Sequence, residues 1–145
     1  ATGRPVRIRV PDLGVDVPVV PLGLSGGVLV PPADPQQLGW WEGGAEPGAL
    51  EGTAILTGHT VSSGGGALDR LHRLDVGDKV VVVTARGRIG YHVDNVAKYS
   101  KTTLARVSER VFDQHSPGRL VLVTCTDFDG SQYLANTVAF ASVEQ

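Results

Sequence analysis

Cys125 is the one cysteine in the chain, and it follows a short apolar run, Leu120-Val121-Leu122-Val123, that Ser116-Pro117-Gly118 introduces. Such a run suits a strand buried on both faces, although periodicity by itself does not separate it from a buried helix. The run stops at Thr124-Cys125, and Thr126, Asp127 and Asp129 come directly after. A thiol where a strand leaves the core is held in place and can be reached, and reactive thiols occupy partly exposed, polar surroundings. The competing reading is a small buried hydrophobe, because free cysteine is among the most buried residue types. With no second cysteine, a disulfide within the chain is excluded.

His59 repeats the arrangement. Thr53-Ala54-Ile55-Leu56-Thr57 reads as a buried strand, Gly58-His59-Thr60 ends it, and the flexible stretch Ser62-Ser63-Gly64-Gly65-Gly66 follows. A cysteine nucleophile needs a thiolate, or a base and charge partner that makes one, and an imidazole beside it provides that. His59 and Cys125 lie 66 positions apart, so only the fold can bring them together. The pair points to Cys–His acyl transfer. The glycine loop lacks the Gly-Lys-Ser/Thr ending of a P-loop. His92 sits mid-strand without an acidic or cysteine neighbour at ligand spacing and reads as structural, while His72 and His115 read as surface residues. No cluster resembles a zinc site, so no metal or other cofactor is expected.

The elements that must position these residues are mostly strands. The 145 residues, 41% of them hydrophobic, suit one domain able to bury its own core. Nineteen glycines and nine prolines fall between Val-rich runs, which favours short strands and tight turns over a helical bundle. A net charge of -2 without a dense Lys/Arg cluster leaves no electrostatic footprint for nucleic acid. No apolar run approaches the roughly 18 residues of a membrane span, and no signal peptide is present. The chain contains no Met, so it is expected to be a processed or trimmed fragment, with any targeting or anchoring segment outside it.

Val6, Ile8 and Val10 alternate with Arg7 and Arg9; Pro11 to Gly14 turns the chain, and Val15, Val17 and Val19 return. Pro18 lacks an N–H, which predicts an edge strand or one interrupted there. Arg7 and Arg9 are expected to keep an exposed strand from pairing with neighbours. Val28 to Val30 reads as a short strand, and of Trp40 and Trp41 one is expected to plug the core, with a binding groove as the lesser reading. Leu68, Leu71 and Leu74 fit one short helix or 3₁₀ turn. Lys79 to Thr84 and Arg88 to Val93 form a hairpin about Arg86-Gly87, extended through Tyr99. Thr103 to Phe112 has helical spacing behind a Thr cap, and Tyr133 to Ala141 reads as the last strand, with Leu134, Asn136, Val138 and Phe140 on one face. The total is about eight strands and one or two short helices.

Leu56-Thr57-Gly58-His59-Thr60 and Leu122-Val123-Thr124-Cys125 resemble the two catalytic signatures of sortases. The resemblance covers nearly the whole chain, including Ile8 to Asp16, Gly39-Trp40-Trp41, Gly65-Gly66-Ala67-Leu68 and Pro117-Gly118-Arg119-Leu120, and is greatest to the actinobacterial class F sortases. It implies a mainly β fold, an eight-stranded barrel with short inserted helices forming one catalytic domain over 1–145. It also implies an extracytoplasmic transpeptidase of the Gram-positive cell surface, membrane-anchored through an N-terminal segment absent here. The implied substrate is a sorting signal of the Leu-Pro-any-Thr-Gly type on a surface protein. Cys125 attacks the Thr carbonyl, and an amine of a cell-wall precursor or pilin-like protein resolves the thioacyl intermediate. His59 is the implied acid and base.

The family's third catalytic residue, an Arg on the strand after the cysteine, has no counterpart. Matching places it at Asn136 or at Leu134, and no other Arg lies between Cys125 and Gln145. Asn136 is the candidate donor in its place, since Leu134 has nothing to donate. Arg70 and Arg106 are the candidates for an arginine that reaches in, and with Thr124 and Leu134 they complete the expected substrate contacts. Papain-like proteases carry Cys before His, and L,D-transpeptidases cluster the two closely, so neither pattern fits. The alternative from another class is a catalytically weak or non-catalytic extracellular β-barrel binding domain.

Overall fold

The computed structural model describes residues 3–25, 28–29, 31–59, 66–128 and 133–144, with the backbone alone at 24–25, 28–29, 101, 125–128 and 133–134. The opening alternation forms the antiparallel pair β1 (Pro5–Val10) and β2 (Val15–Leu22), with Ile8 opposite Val17 and Val10 opposite Val15. A 3₁₀ turn at Pro11–Leu13 joins them, closed by Gly14 at φ 66, a left-handed conformation that glycine adopts without steric cost. Ile8, Val10, Val15, Val17 and Val19 all turn into the core.

β1 and β2 are not edge strands. With β5 (Leu38–Trp41), β6 (Thr53–Thr57), β7 (Lys79–Thr84), β8 (Gly87–Ser100), β9 (Arg119–Phe128) and β10 (Tyr133–Val143) they close a barrel in the order β1-β2-β5-β6-β9-β10-β8-β7. Pro18 marks a change of partner: it is the last β2 residue paired with β1, and pairing with β5 begins at Val19. A residue without an N–H is tolerated where one ladder hands over to the next. Arg7 and Arg9 guard no edge either. Arg7 Nε donates to Asp16 Oδ1 at 2.5 Å and Arg9 Nε lies 3.5 Å from the same oxygen, so their hydrogen bonds and charges hold the Asp16 carboxyl below the ordinary carboxylate value.

Beside the barrel, β3 (Leu24–Ser25) and β4 (Val28–Leu29) form a two-stranded pair, and Val30 lies outside the described residues. Trp40 is the core member of the tryptophan pair, 3% exposed, with Nε1 donating to the Ala45 carbonyl. Leu68, Leu71 and Leu74 are buried around a 3₁₀ turn at Leu71–Arg73.

Helix α1 (Lys101–Val111) starts ahead of the predicted boundary. Its cap is Ser100, whose Oγ accepts the Thr103 N–H at 3.1 Å, so Thr103 is inside the first turn and does not cap it. Leu104, Val107, Val111 and Phe112 pack on Val121, Val123 and Val138, the face of β9 and β10 turned away from the barrel interior. Arg119 fastens the far end of this packing: Nε donates to Thr53 Oγ1 at 3.0 Å and a terminal nitrogen to the Val111 carbonyl at 2.9 Å. The barrel interior is filled by Ile8, Leu38, Leu56, Val82, Tyr91, Leu120 and Leu122 among others.

Candidate active site

β6 and β9 lie side by side and parallel, and every pair in their register, from Thr53 with Arg119 to Thr57 with Val123, is offset by the same 66 residues. His59 and Cys125 have that offset too, and each stands two residues past the last pair. The interval that looked arbitrary along the chain is the register of two adjacent strands. Cys125 does not end its strand, as expected from the polar residues after it; β9 runs on to Phe128. What ends there is the partnership with β6, while β10 continues on the other side and pairs Asn136 with Cys125. The backbone at Cys125 is thus held on the β10 side and open on the side where His59 leaves its strand.

Two hydroxyls join the strand ends at this point. Thr57 Oγ1 donates to the Val123 carbonyl at 3.0 Å, and Thr124 Oγ1 donates to the Gly58 carbonyl at 3.1 Å, both in buried surroundings. Gly58 packs against the core here: a Cβ on it would stand 2.4 Å from Leu38 Cδ2. Gly66 backs onto the half-buried His59: a Cβ on it would come within 2.7 Å of the His59 carbonyl oxygen. Its N–H donates to Asp69 Oδ2 at 3.0 Å.

The remaining expected residues are scattered. Asn136 is half-buried on β10, and its Nδ2 lies 3.5 Å from the Thr124 carbonyl oxygen, the outer limit of a hydrogen bond. Arg70 and Arg106 are exposed, and among the described residues neither guanidinium has a partner. The side chains of Cys125 and Leu134, and the loop at 60–65, lie outside the described residues. His92 is engaged with Asp94 at 3.1 Å, and His72 and His115 are exposed. Among the described residues no group of His, Cys, Asp or Glu is arranged to hold a metal ion.

The sequence placed Thr57, Gly58 and Gly66 in the stretches around the site but assigned them no role. The signal available was a polar β-branched residue at the end of each apolar run, Thr57 and Thr124, next to the residue types that do chemistry.

The sortase domain model matches residues 8–144. No curated protein matches the chain in sequence. Among solved structures, sortase C-1 from Actinomyces oris superposes with a TM-score of 0.73 at 22% identity, covering 96% of this chain and 73% of that one. A lid mutant of sortase A from Corynebacterium diphtheriae gives 0.75 at 18% identity over 98% and 72%. Sortase C-1 from Streptococcus pneumoniae gives 0.72 at 24% identity over 96% and 66%. At these identities the likeness is one of fold, and it agrees with the closed eight-stranded barrel. The domain match leaves almost none of the sequence outside it, and the chain belongs to the sortase family of cysteine transpeptidases.

Proposed function

We propose that Cys125 is the nucleophile of a transpeptidation that cuts a Leu-Pro-any-Thr-Gly sorting signal between Thr and Gly. The observation that supports this reading is that β6 and β9 run parallel side by side and that His59 and Cys125 each follow the last registered pair, Thr57 with Val123, by two residues. The Cys125 sulfur bonds to the Thr carbonyl carbon, and the C–N bond to Gly breaks as His59 gives a proton to the departing amine. An amine of a cell-wall precursor or a pilin-like protein then attacks the thioester, loses its proton to His59, and releases the Cys125 thiolate. The oxyanion formed in each half needs donors about 3 Å away. Asn136, paired with Cys125, supplies an amide there together with backbone N–H groups. Sortases are extracytoplasmic, and an anchor outside this chain would hold the domain at the cell surface, with the motifs favouring the class F group.

The test is incubation with a Leu-Pro-any-Thr-Gly peptide and an amine acceptor, with mass detection of the adduct on Cys125. The expected result is a thioacyl adduct and an exchanged product, both absent in Cys125→Ala. His59→Ala should lose about 10² to 10⁴ in rate with peptide binding retained. A folded protein that forms no adduct would be a binding barrel and not an enzyme.

A further inference from the structure

We propose that Thr57 and Thr124 are positioning residues that carry the β6–β9 register past its last backbone pair and so fix the spacing of His59 against Cys125. The proposal rests on the Cys–His reading above. Thr57 and Val123 form the final pair of the ladder, and beyond them β6 gives way to Gly58 and His59. Strand ends that leave a ladder fray unless something replaces the missing bonds. Here the replacements are two hydroxyls acting reciprocally: that of Thr57 on the Val123 carbonyl, and that of Thr124 on the Gly58 carbonyl. One bond ends two residues before Cys125 and the other one residue before His59. Neither strand end can slide along the other without breaking both.

The chemistry of threonine suits this task. Its β-branched side chain is stiff at χ1, so the hydroxyl is aimed by the backbone instead of searching for a partner. The two residues are 7% and 3% exposed, and a hydrogen bond in such surroundings is stronger than one that competes with water. Proton transfer requires heavy atoms within roughly 2.6–3.2 Å, and a misplacement of about 1 Å costs on the order of 10²-fold in rate. Two bonds that hold the residues next to the dyad therefore bear on the rate as well as on the stability of the barrel.

The test compares Thr57→Val and Thr124→Val, which keep shape and lose the hydroxyl, with Thr57→Ser and Thr124→Ser, which keep the hydroxyl. Each Val variant is expected to lower kcat for peptide cleavage by about 10- to 10²-fold with KM nearly unchanged. The Ser variants should recover most of it, and the melting temperature of the Val variants should fall only by what one lost buried hydrogen bond accounts for. A purely structural threonine gives a different result, since Val, another β-branched residue, would serve as well. Val variants at full kcat, or Ser variants as slow as Val, overturn the proposal. Should a Val variant fail to fold, Ala replaces it: active Ser beside slow Ala upholds the clamp, and equal rates overturn it. An unaltered chain that forms no adduct on Cys125 sinks the Cys–His reading and the clamp together, whereas an active chain with fast Val variants sinks the clamp alone.

Discussion

Asn136 is paired with Cys125 across the β9–β10 ladder, and its side-chain nitrogen lies 3.5 Å from the carbonyl oxygen of the residue before the cysteine. The proposed role of the Asn136 amide is to donate to the oxyanion that develops when its cross-strand partner Cys125 attacks. Asn136→Ala is expected to lower kcat by about 10² to 10³, as loss of one oxyanion donor does. Arg70→Ala and Arg106→Ala, at exposed positions, should stay near the starting rate. Peptide-cleavage kinetics of the three variants decide the matter, and a dead Arg variant beside an active Asn136→Ala would move the donor elsewhere.

Gly66 and His59 are coupled through space. A methyl group on residue 66 would meet the His59 carbonyl oxygen at 2.7 Å and Asp69 Oδ1 at 2.3 Å, so the backbone carrying the imidazole must shift. Gly66→Ala should therefore reduce kcat by about tenfold or more, since catalysis is sensitive to displacements near 1 Å. Gly58→Ala meets buried Leu38 instead and should cost about 1–3 kcal/mol of stability, the range for overpacking a core. Urea unfolding and steady-state kinetics on both variants separate the two effects.

Thr137 carries the one buried side-chain polar atom without a hydrogen-bond partner among the described residues. An unsatisfied buried hydroxyl costs about 1–3 kcal/mol, and valine has nearly its shape. Thr137→Val should raise the urea midpoint and leave the m-value and the cleavage rate unchanged. A fall in stability would mean that the hydroxyl has a partner in solution.

Tyr91 contributes to the loss of stability at alkaline pH. Burial pushes its phenol above the ordinary value of 10.0, and the Gly48 N–H it accepts offsets this only in part. The folded protein keeps the proton while an unfolded chain releases it. The contribution of Tyr91 to stability is therefore complete below about pH 10 and declines as pH rises from there through the folded value. Tyr91→Phe should lose about 0.5–1.5 kcal/mol at neutral pH by removing the bond to Gly48, and should flatten part of the alkaline decline. Chemical denaturation across pH 8 to about 11 reads both effects.

Much of this barrel is local and so was legible along the chain. The alternation of Ile8 and Val10 with arginines, the turn at Pro11 to Gly14, the leucines at 68, 71 and 74, and the helix before β9 depend on neighbours within a few residues. The residue types at His59 and Cys125 were legible for the same reason: each follows an apolar run. The spacing between them was not. A parallel pair such as β6 and β9 is joined by a long crossover, and no short-range pattern states its register. Only the tertiary structure decided that 66 residues is one register step repeated, that Pro18 marks a change of partner in a closed barrel, and that Ser100 caps α1. It alone set the hydroxyls of Thr57 and Thr124 on the opposite strand, because a side chain's hydrogen-bond partner is chosen by whichever backbone the fold brings beside it.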